Sequence, residues 1–453
     1  MELKRKAYAE LLEWKEKSNG KSAILVEGAR RIGKSTTVKK FAEENYKSYI
    51  LIDFSKVSSK IKDNFENNLI DLDSFFQIIS IEYKTRLYKR NSVIIFDEVQ
   101  FYPRARQAIK HLVSDGRYDY IETGSLISIK ENVEDILIPS EEDKLKMYPL
   151  DFEEFLWATD NELLSDYIKD CFDKKVPLMD AFHKKANYAF DEYILVGGMP
   201  QSVIAYVENS KDFFASHEAK MKIINLYKDD IKKSASKYQS KVSSIFNNIP
   251  GYLSSGSKQI SLNAIDKKQM YSNYYESLFW LEDSMICNLC YKCSDPSVSL
   301  SLYKDTSSIK CYMGDTGLLV SMVLSSNKIN SMDLYKQIMN GKLSFNKGML
   351  FENVIAQTLA CKNIDLYFYT QYNADKKRND IEIDFLVVGE LNKLISIEVK
   401  SSKNYTNISY DKFKAKYKKR IGESYIIHPK SFNKDEIGYK IPAYMAYCLF
   451  DNK

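Results

Sequence analysis

The sequence Gly28-Ala29-Arg30-Arg31-Ile32-Gly33-Lys34-Ser35 matches every position of the G-x-x-x-x-G-K-[ST] phosphate loop. Each residue type answers a chemical need. Gly28 and Gly33 free the backbone to turn successive N–H groups around phosphate oxygens, and a helix after the loop adds the positive end of its dipole. Lys34 supplies a point charge for the β and γ phosphates, and the Ser35 hydroxyl is a ligand for Mg²⁺. Residues 28–36, from Gly28 through Ala29, Arg30, Arg31, Ile32, Gly33, Lys34 and Ser35 to Thr36, are the candidate nucleotide-binding segment. ATP is the expected partner and Mg²⁺ the expected cofactor.

A second constellation completes a hydrolytic site. Asp97-Glu98 follows the apolar run Val93-Ile94-Ile95-Phe96. At the end of such a strand Asp97 holds Mg²⁺ opposite Ser35, and Glu98 accepts a proton from the attacking water. Thr123 and Ser125 close the next strand, within reach of the γ phosphate or the water, and Ser125 joins Lys34 and Glu98 as a candidate catalytic residue. Arg30, Arg31, Arg104, Arg106 and Arg117 are alternatives for a charge-stabilising arginine, as is an arginine from a second copy in a homo-oligomer.

A third constellation lies far along the chain. In residues 380–387 side chains alternate faces, so Asp380, Glu382 and Asp384 share one side and Ile381, Ile383, Phe385 and Val387 the other. In residues 394–400 the same rule groups Glu398 with Lys400. A hairpin through residues 389–393 lets Asp384 face both, which is the D…E-x-K arrangement of a metal-dependent nuclease. Asp384 and Glu398 would then hold a second divalent metal, and Lys400 would orient the attacking water. An exposed face stabilised by cross-strand charge pairs is the alternative.

The elements that must position these groups follow from hydrophobic periodicity. Strand-like runs at 23–27, 48–54, 93–96 and 118–122 alternate with helical patterns at 35–44, 75–87 and 104–114, with a polar connection over 58–73. That is a parallel sheet covered on both faces, with its ligand site at the carboxyl ends of the strands. From Met147 the pattern turns helical, broken by Gly197-Gly198-Met199-Pro200. Residues 242–323 mix short helices with Tyr-rich strand-like pieces. The last section opens with a helix over 349–362 and continues with strands at 366–370, 381–388, 394–401 and 424–428. Lys412, Lys414, Lys416, Lys418, Lys419 and Arg420, interleaved with Phe413 and Tyr417, form a basic helix suited to a phosphate backbone or to plain solvation.

Composition narrows the class. With 453 residues, 44% hydrophobic and 28% charged, the chain is globular and calls for several domains, and no apolar stretch spans a bilayer. A net charge of +5 does not by itself argue for nucleic acid. Seven scattered cysteines fit a reducing, cytoplasmic setting. Cys287, Cys290 and Cys293, with Cys311, have metal-ligand spacing but apolar neighbours, and they read as strand cysteines. The four histidines are isolated and take no role.

The phosphate loop, Asp97-Glu98-Val99-Gln100, Thr123-Gly124-Ser125, Tyr148-Pro149-Leu150 with Glu154-Phe155, and Gly197-Gly198-Met199-Pro200 together resemble a widespread prokaryotic family of AAA-type ATPases. The C-terminal half of that family is a domain of unknown function, which Gly314-Asp315-Thr316-Gly317-Leu318-Leu319 and the stretch from Gly348 to Glu352 resemble. The resemblance implies an α/β architecture of four parts: a parallel-sheet P-loop AAA domain at 1–146, a helical lid at 147–241, a winged-helix-like unit at 242–335 and a restriction-endonuclease-like α/β domain at 336–453. Glu352 matches the extra acidic residue of many such nucleases and joins Asp384, Glu398 and Lys400. The expected function is ATP turnover controlling a nuclease-like domain that acts on or binds DNA or another nucleic acid. A non-nucleolytic ATP-dependent switch, its C-terminal domain an inactive binding module, is the alternative.

Overall fold

The computed structural model describes residues 1–125, 140–235, 238–261, 271–297, 299–325, 335, 337–339, 346–389 and 393–451. The chain divides into one unit of Glu2–Tyr148 with Asp283–Met285 and another of Pro149–Glu282 with Ile286–Lys453.

In the first unit Ala23–Glu27 (β1), Ser48–Asp53 (β2), Ser92–Asp97 (β3), Asp119–Gly124 (β4) and Glu142–Lys146 (β5) form a parallel sheet in the order β2-β3-β4-β1-β5. The strands β1, β3 and β4 are buried along their whole length, as a sheet covered on both faces requires. Phe54, Phe65, Phe75 and Phe96 meet edge to face with centroids 5.0 to 5.7 Å apart, a favourable arrangement for aromatic quadrupoles. Two features depart from the sequence reading. The connection expected over 58–73 contains the helix Ser59–Asn67, capped by the Ser58 hydroxyl and turning Ile61 and Phe65 inward. The strand β5 carries no apolar run because it is an edge strand, with Leu145 its one buried residue. It is anchored instead by a buried ion pair: Arg106 donates to both Glu142 oxygens, at 2.9 and 2.7 Å.

The second unit begins with the helices Phe152–Ala158, Glu162–Asp173, Asp180–Val196, Pro200–Glu208 and Phe213–Ser234. The break at Gly197-Gly198 has a packing reason. The Gly198 N–H donates to the Asp315 carboxylate at 2.6 Å, and a Cβ on Gly198 would stand 2.0 Å from the Leu150 carbonyl oxygen. Asp315 also caps the helix Thr316–Ser325 by accepting the Leu318 N–H at 2.9 Å. Thus the two glycine-bearing motifs, distant in sequence, form one buried joint.

Among the described residues a nine-stranded sheet follows, made of Ile260–Ser261 (β6), Cys287–Cys293 (β7), Lys304–Met313 (β8), Leu366–Asn373 (β9), Arg378–Val388 (β10), Leu394–Val399 (β11), Ile421–His428 (β12), Asn433–Lys434 (β13) and Tyr439–Pro442 (β14). Their order is β13-β14-β12-β11-β10-β9-β7-β8-β6. The strand β7 runs parallel to β9, pairing Tyr291 with Tyr367. Among the described residues, therefore, the stretch expected as a separate winged-helix-like unit does not close a sheet of its own. Its strands extend the sheet of the C-terminal stretch. Cys287 and Cys293 fall on one face of β7 and Cys290 on the other, so the three thiols do not converge.

Candidate active sites

The phosphate loop joins β1 to the helix Lys34–Asn45. Gly33 caps that helix with φ of +91°, a left-handed turn that favours glycine, and no side chain caps the first-turn N–H groups. Those groups and the helix dipole point at an anion. Lys34 is buried, and its ammonium donates to the carbonyls of Gly28 and Ala29 at 2.9 and 2.8 Å. Burial lowers its pKa to about 8, against the pull of Glu98 and Asp97, with Arg30 adding to the fall.

Because β4 lies between β1 and β3, the ends of all three strands meet. The Ser35 hydroxyl donates to Asp97 Oδ1 at 2.7 Å. Thr123 donates to the same oxygen and accepts the Glu98 N–H at 3.3 Å. Glu98 has left-handed backbone, φ 56° and ψ 44°, and its carboxylate accepts from the Gln100 amide. A hydroxyl and a carboxylate oxygen side by side at the loop are a hard donor set, and they fit Mg²⁺. The sequence reading preferred Ser125, whereas Thr123 is the residue seen to hold Asp97 and Glu98 together; Ser125 is buried just past β4. Of the candidate arginines, Arg106 is committed to Glu142, and Arg117 to Asp115 and Asp73.

The second unit holds the other constellation. The antiparallel register pairing Phe385 with Ile397 sets Asp384 opposite Glu398, as strand alternation requires. Glu352 reaches the same face from the helix Lys347–Ala360, which Asn353 pins to β8 by pairing with both backbone groups of Met313, at 2.8 and 3.1 Å. Four carboxylates and three ammonium groups then interleave. Lys258 pairs with Glu352, Lys400 pairs with Glu398, and Lys310 lies 3.6 Å from Glu352, 3.7 Å from Asp384 and 3.9 Å from Glu382. The second Glu352 oxygen accepts the Tyr312 hydroxyl at 3.0 Å, and Asp384 Oδ2 accepts the Val399 N–H at 2.8 Å.

These partners bear on the divalent metal expected at Asp384 and Glu398. The oxygens of Glu352 and Asp384 are turned to N–H, O–H and ammonium groups and Lys400 takes one Glu398 oxygen, so the residues present form no open donor set for that ion. Among the described residues no group of three or more His, Cys, Asp or Glu side chains is arranged to hold a metal. Sequence reasoning missed Lys310, Lys258, Tyr312 and Asn353. The available signal was a lone lysine in the apolar run Ile309-Lys310-Cys311-Tyr312-Met313.

Burial raises the Glu352 pKa, but Lys310 and Lys258 outweigh it and hold the carboxyl below its usual range. Burial, then the Glu352 charge, push Asp384 up to about 7, against Lys310 and Lys258 and with a further push from Glu398. A carboxyl with a raised folded pKa contributes stability below its unfolded pKa and loses it as pH rises through the folded value. Asp384→Asn stays neutral, so its effect on stability relative to wild type should be more favourable at pH 8 than at pH 4.5, with the difference on the order of 1–3 kcal/mol. Urea unfolding at the two pH values checks this, and an equal effect at both removes the raised carboxyl.

The basic run is less free than its composition suggests. Phe413 is buried, while Lys412 pairs with Asp380, Lys414 donates to the carbonyls of Glu436 and Ile437, and Arg420 pairs with Asp295. A concavity beside it is lined by Lys403, Tyr405, Lys430 and Lys440.

A parallel sheet with a phosphate loop after an inner strand, and an acidic pair closing a strand two places away, defines the first unit as a P-loop nucleotide-binding domain. Residues 20–156, which take in most of this unit, match an AAA domain family. Residues 187–329 and 347–444 match two domains of unknown function, DUF8612 and DUF4143. A search of curated proteins gave no match. Similar solved structures include AMPPCP-bound DnaA from Aquifex aeolicus, 10% identical, covering 75% of this chain and 95% of that one with a TM-score of 0.22. A DNA replication initiation factor is 12% identical over 74% of this chain and 92% of that one, with a TM-score of 0.21. No helix among the described residues is long and apolar enough to cross a membrane.

Proposed function

We propose that the chain is a Mg²⁺-dependent ATPase whose turnover switches a C-terminal unit that grips nucleic acid without cutting it. The observation that carries the ATPase reading is the hydrogen-bonded set Ser35, Asp97, Thr123 and Glu98 at the mouth of the phosphate loop. Ser35 and Asp97 would hold the Mg²⁺, which when bound neutralises phosphate charge. Lys34 exchanges the Gly28 and Ala29 carbonyls for phosphate oxygens. Thr123 fixes Asp97 and the Glu98 backbone, so the Glu98 carboxylate takes the proton of the attacking water at a defined position.

For the C-terminal unit, the lysines interleaved with Glu352, Asp384 and Glu398 favour binding over metal-dependent cleavage. The concavity with Lys403 and Lys430, where Lys440 is paired with Asp435, supports a polyanionic partner. Two assays on the full chain test the reading: phosphate release from ATP with and without Mg²⁺, and gel retardation of single- and double-stranded DNA and RNA with product sizing. Mg²⁺-dependent phosphate release and retarded, intact nucleic acid are expected. Cleavage that disappears in Asp384→Ala would make the C-terminal unit a nuclease, and absence of phosphate release would remove the ATPase reading.

A further inference from the structure

We infer that Lys310 is the resident cation of the C-terminal carboxylate cluster, standing where the strand pair would otherwise seat a divalent metal, so that the native chain takes up no Mg²⁺ or Mn²⁺ there. The inference deepens the non-cleaving reading of this unit and rests on it.

The geometry is that of a built-in counter-ion. Lys310 starts on β8, and its ammonium passes over the Phe368 ring of β9, 5.0 Å from the centroid, to reach the carboxylates of β10 and of the helix Lys347–Ala360. Its side chain has no exposure. The ammonium is equidistant, within 0.3 Å, from oxygens of Glu352, Asp384 and Glu382, at 3.6, 3.7 and 3.9 Å, and it makes no hydrogen bond of its own. A buried donor group left without hydrogen bonds is costly, so three surrounding carboxylates are what keep it in place. A dication bound to Glu352 and Asp384 would sit against this fixed positive charge in a medium that screens poorly.

Lys258 differs. It pairs with the outer side of Glu352 with a side chain 23% exposed, so it can swing away. Its departure would free one Glu352 oxygen and leave Lys310 where it is. Glu398 Oε2 has no hydrogen bond, and Asp384 Oδ1 faces the Lys310 ammonium at 3.7 Å, so a dication drawn to these two oxygens would meet that same fixed charge.

The test counts Mn²⁺ bound to the nucleotide-free full chain, by the electron paramagnetic resonance signal of free Mn²⁺, in four proteins: wild type, Glu352→Gln/Asp384→Asn, Lys310→Met, and Lys310→Met with Glu352→Gln/Asp384→Asn. Any ion at Ser35 and Asp97 is common to all four. Wild type and Glu352→Gln/Asp384→Asn should bind the same number. Lys310→Met should bind one more, and the triple variant should lose it. An ion present in wild type and absent from Glu352→Gln/Asp384→Asn overturns the inference, as does a Lys310→Met chain that is folded by circular dichroism and gains none. If Lys310→Met does not fold, the first pair of proteins decides alone. No nucleic acid enters the measurement, so failure of the nucleic-acid reading, seen by gel retardation, is separate from failure here.

Discussion

Glu98→Gln should leave ATP binding unchanged and lower turnover about 10²–10⁴-fold, the usual contribution of a positioned general base. The substitution preserves shape and the hydrogen-bond partner Gln100 while removing the carboxylate that accepts the proton. Glu98 is also placed at a cost. A glutamate at φ 56° is in a sparsely populated region, and it is held there by its N–H on Thr123 and by β3 ending at Asp97. Because Gln keeps that backbone and leaves Lys34, Ser35 and Asp97 in place, the loss measured well below pH 8, where Lys34 holds its proton without help from the Glu98 charge, falls on kcat and not on affinity. Phosphate release under saturating ATP gives the first quantity and calorimetric titration the second. Turnover equal to wild type takes the base role away from Glu98, and lost affinity would instead make it part of the binding site.

The two sites were not equally legible from sequence. Around the nucleotide, chemistry dictates residue types at fixed spacing, so Gly28 to Ser35 and Asp97-Glu98 identify themselves, and the buried strands β1 and β3 announce their positions with apolar runs. The strand β5 does not, because an edge strand held by the Arg106–Glu142 pair needs no such run. In the C-terminal sheet alternation correctly placed Asp384 opposite Glu398, since that pairing is local to one hairpin. The counter-charges were hidden because they arrive from elsewhere. Lys310 comes from β8 and Lys258 from the segment before β6, through the parallel pairing of β7 with β9, which no local pattern encodes. A lysine in a strand ordinarily reads as a solvent-facing residue, and only the surrounding carboxylates make its complete burial tolerable.

Lys34 carries the second large effect. Replacing it with alanine should weaken ATP binding about 10²–10³-fold, as expected when one partner of a buried charged interaction is removed. The wild-type protein adds a pH signature. The folded pKa of about 8 is well below the 10.5 of a free lysine because burial penalises the ammonium, with Glu98 and Asp97 opposing and Arg30 contributing in the same direction as burial. Triphosphate oxygens bind the ammonium and favour it. Below pH 8 the free protein already carries the proton, so affinity is flat there. Above it, binding must take up a proton, and affinity should fall by up to about tenfold per pH unit until the pKa of the bound form is reached. Titrations between pH 7 and 9.5, in buffers of different ionisation enthalpy, read both the affinity and the proton uptake. Lys34→Ala should show neither the slope nor the uptake. A slope that survives the substitution would assign the titration to another group at the loop, whereas a flat wild-type profile would mean that Lys34 stays protonated over its carbonyls throughout.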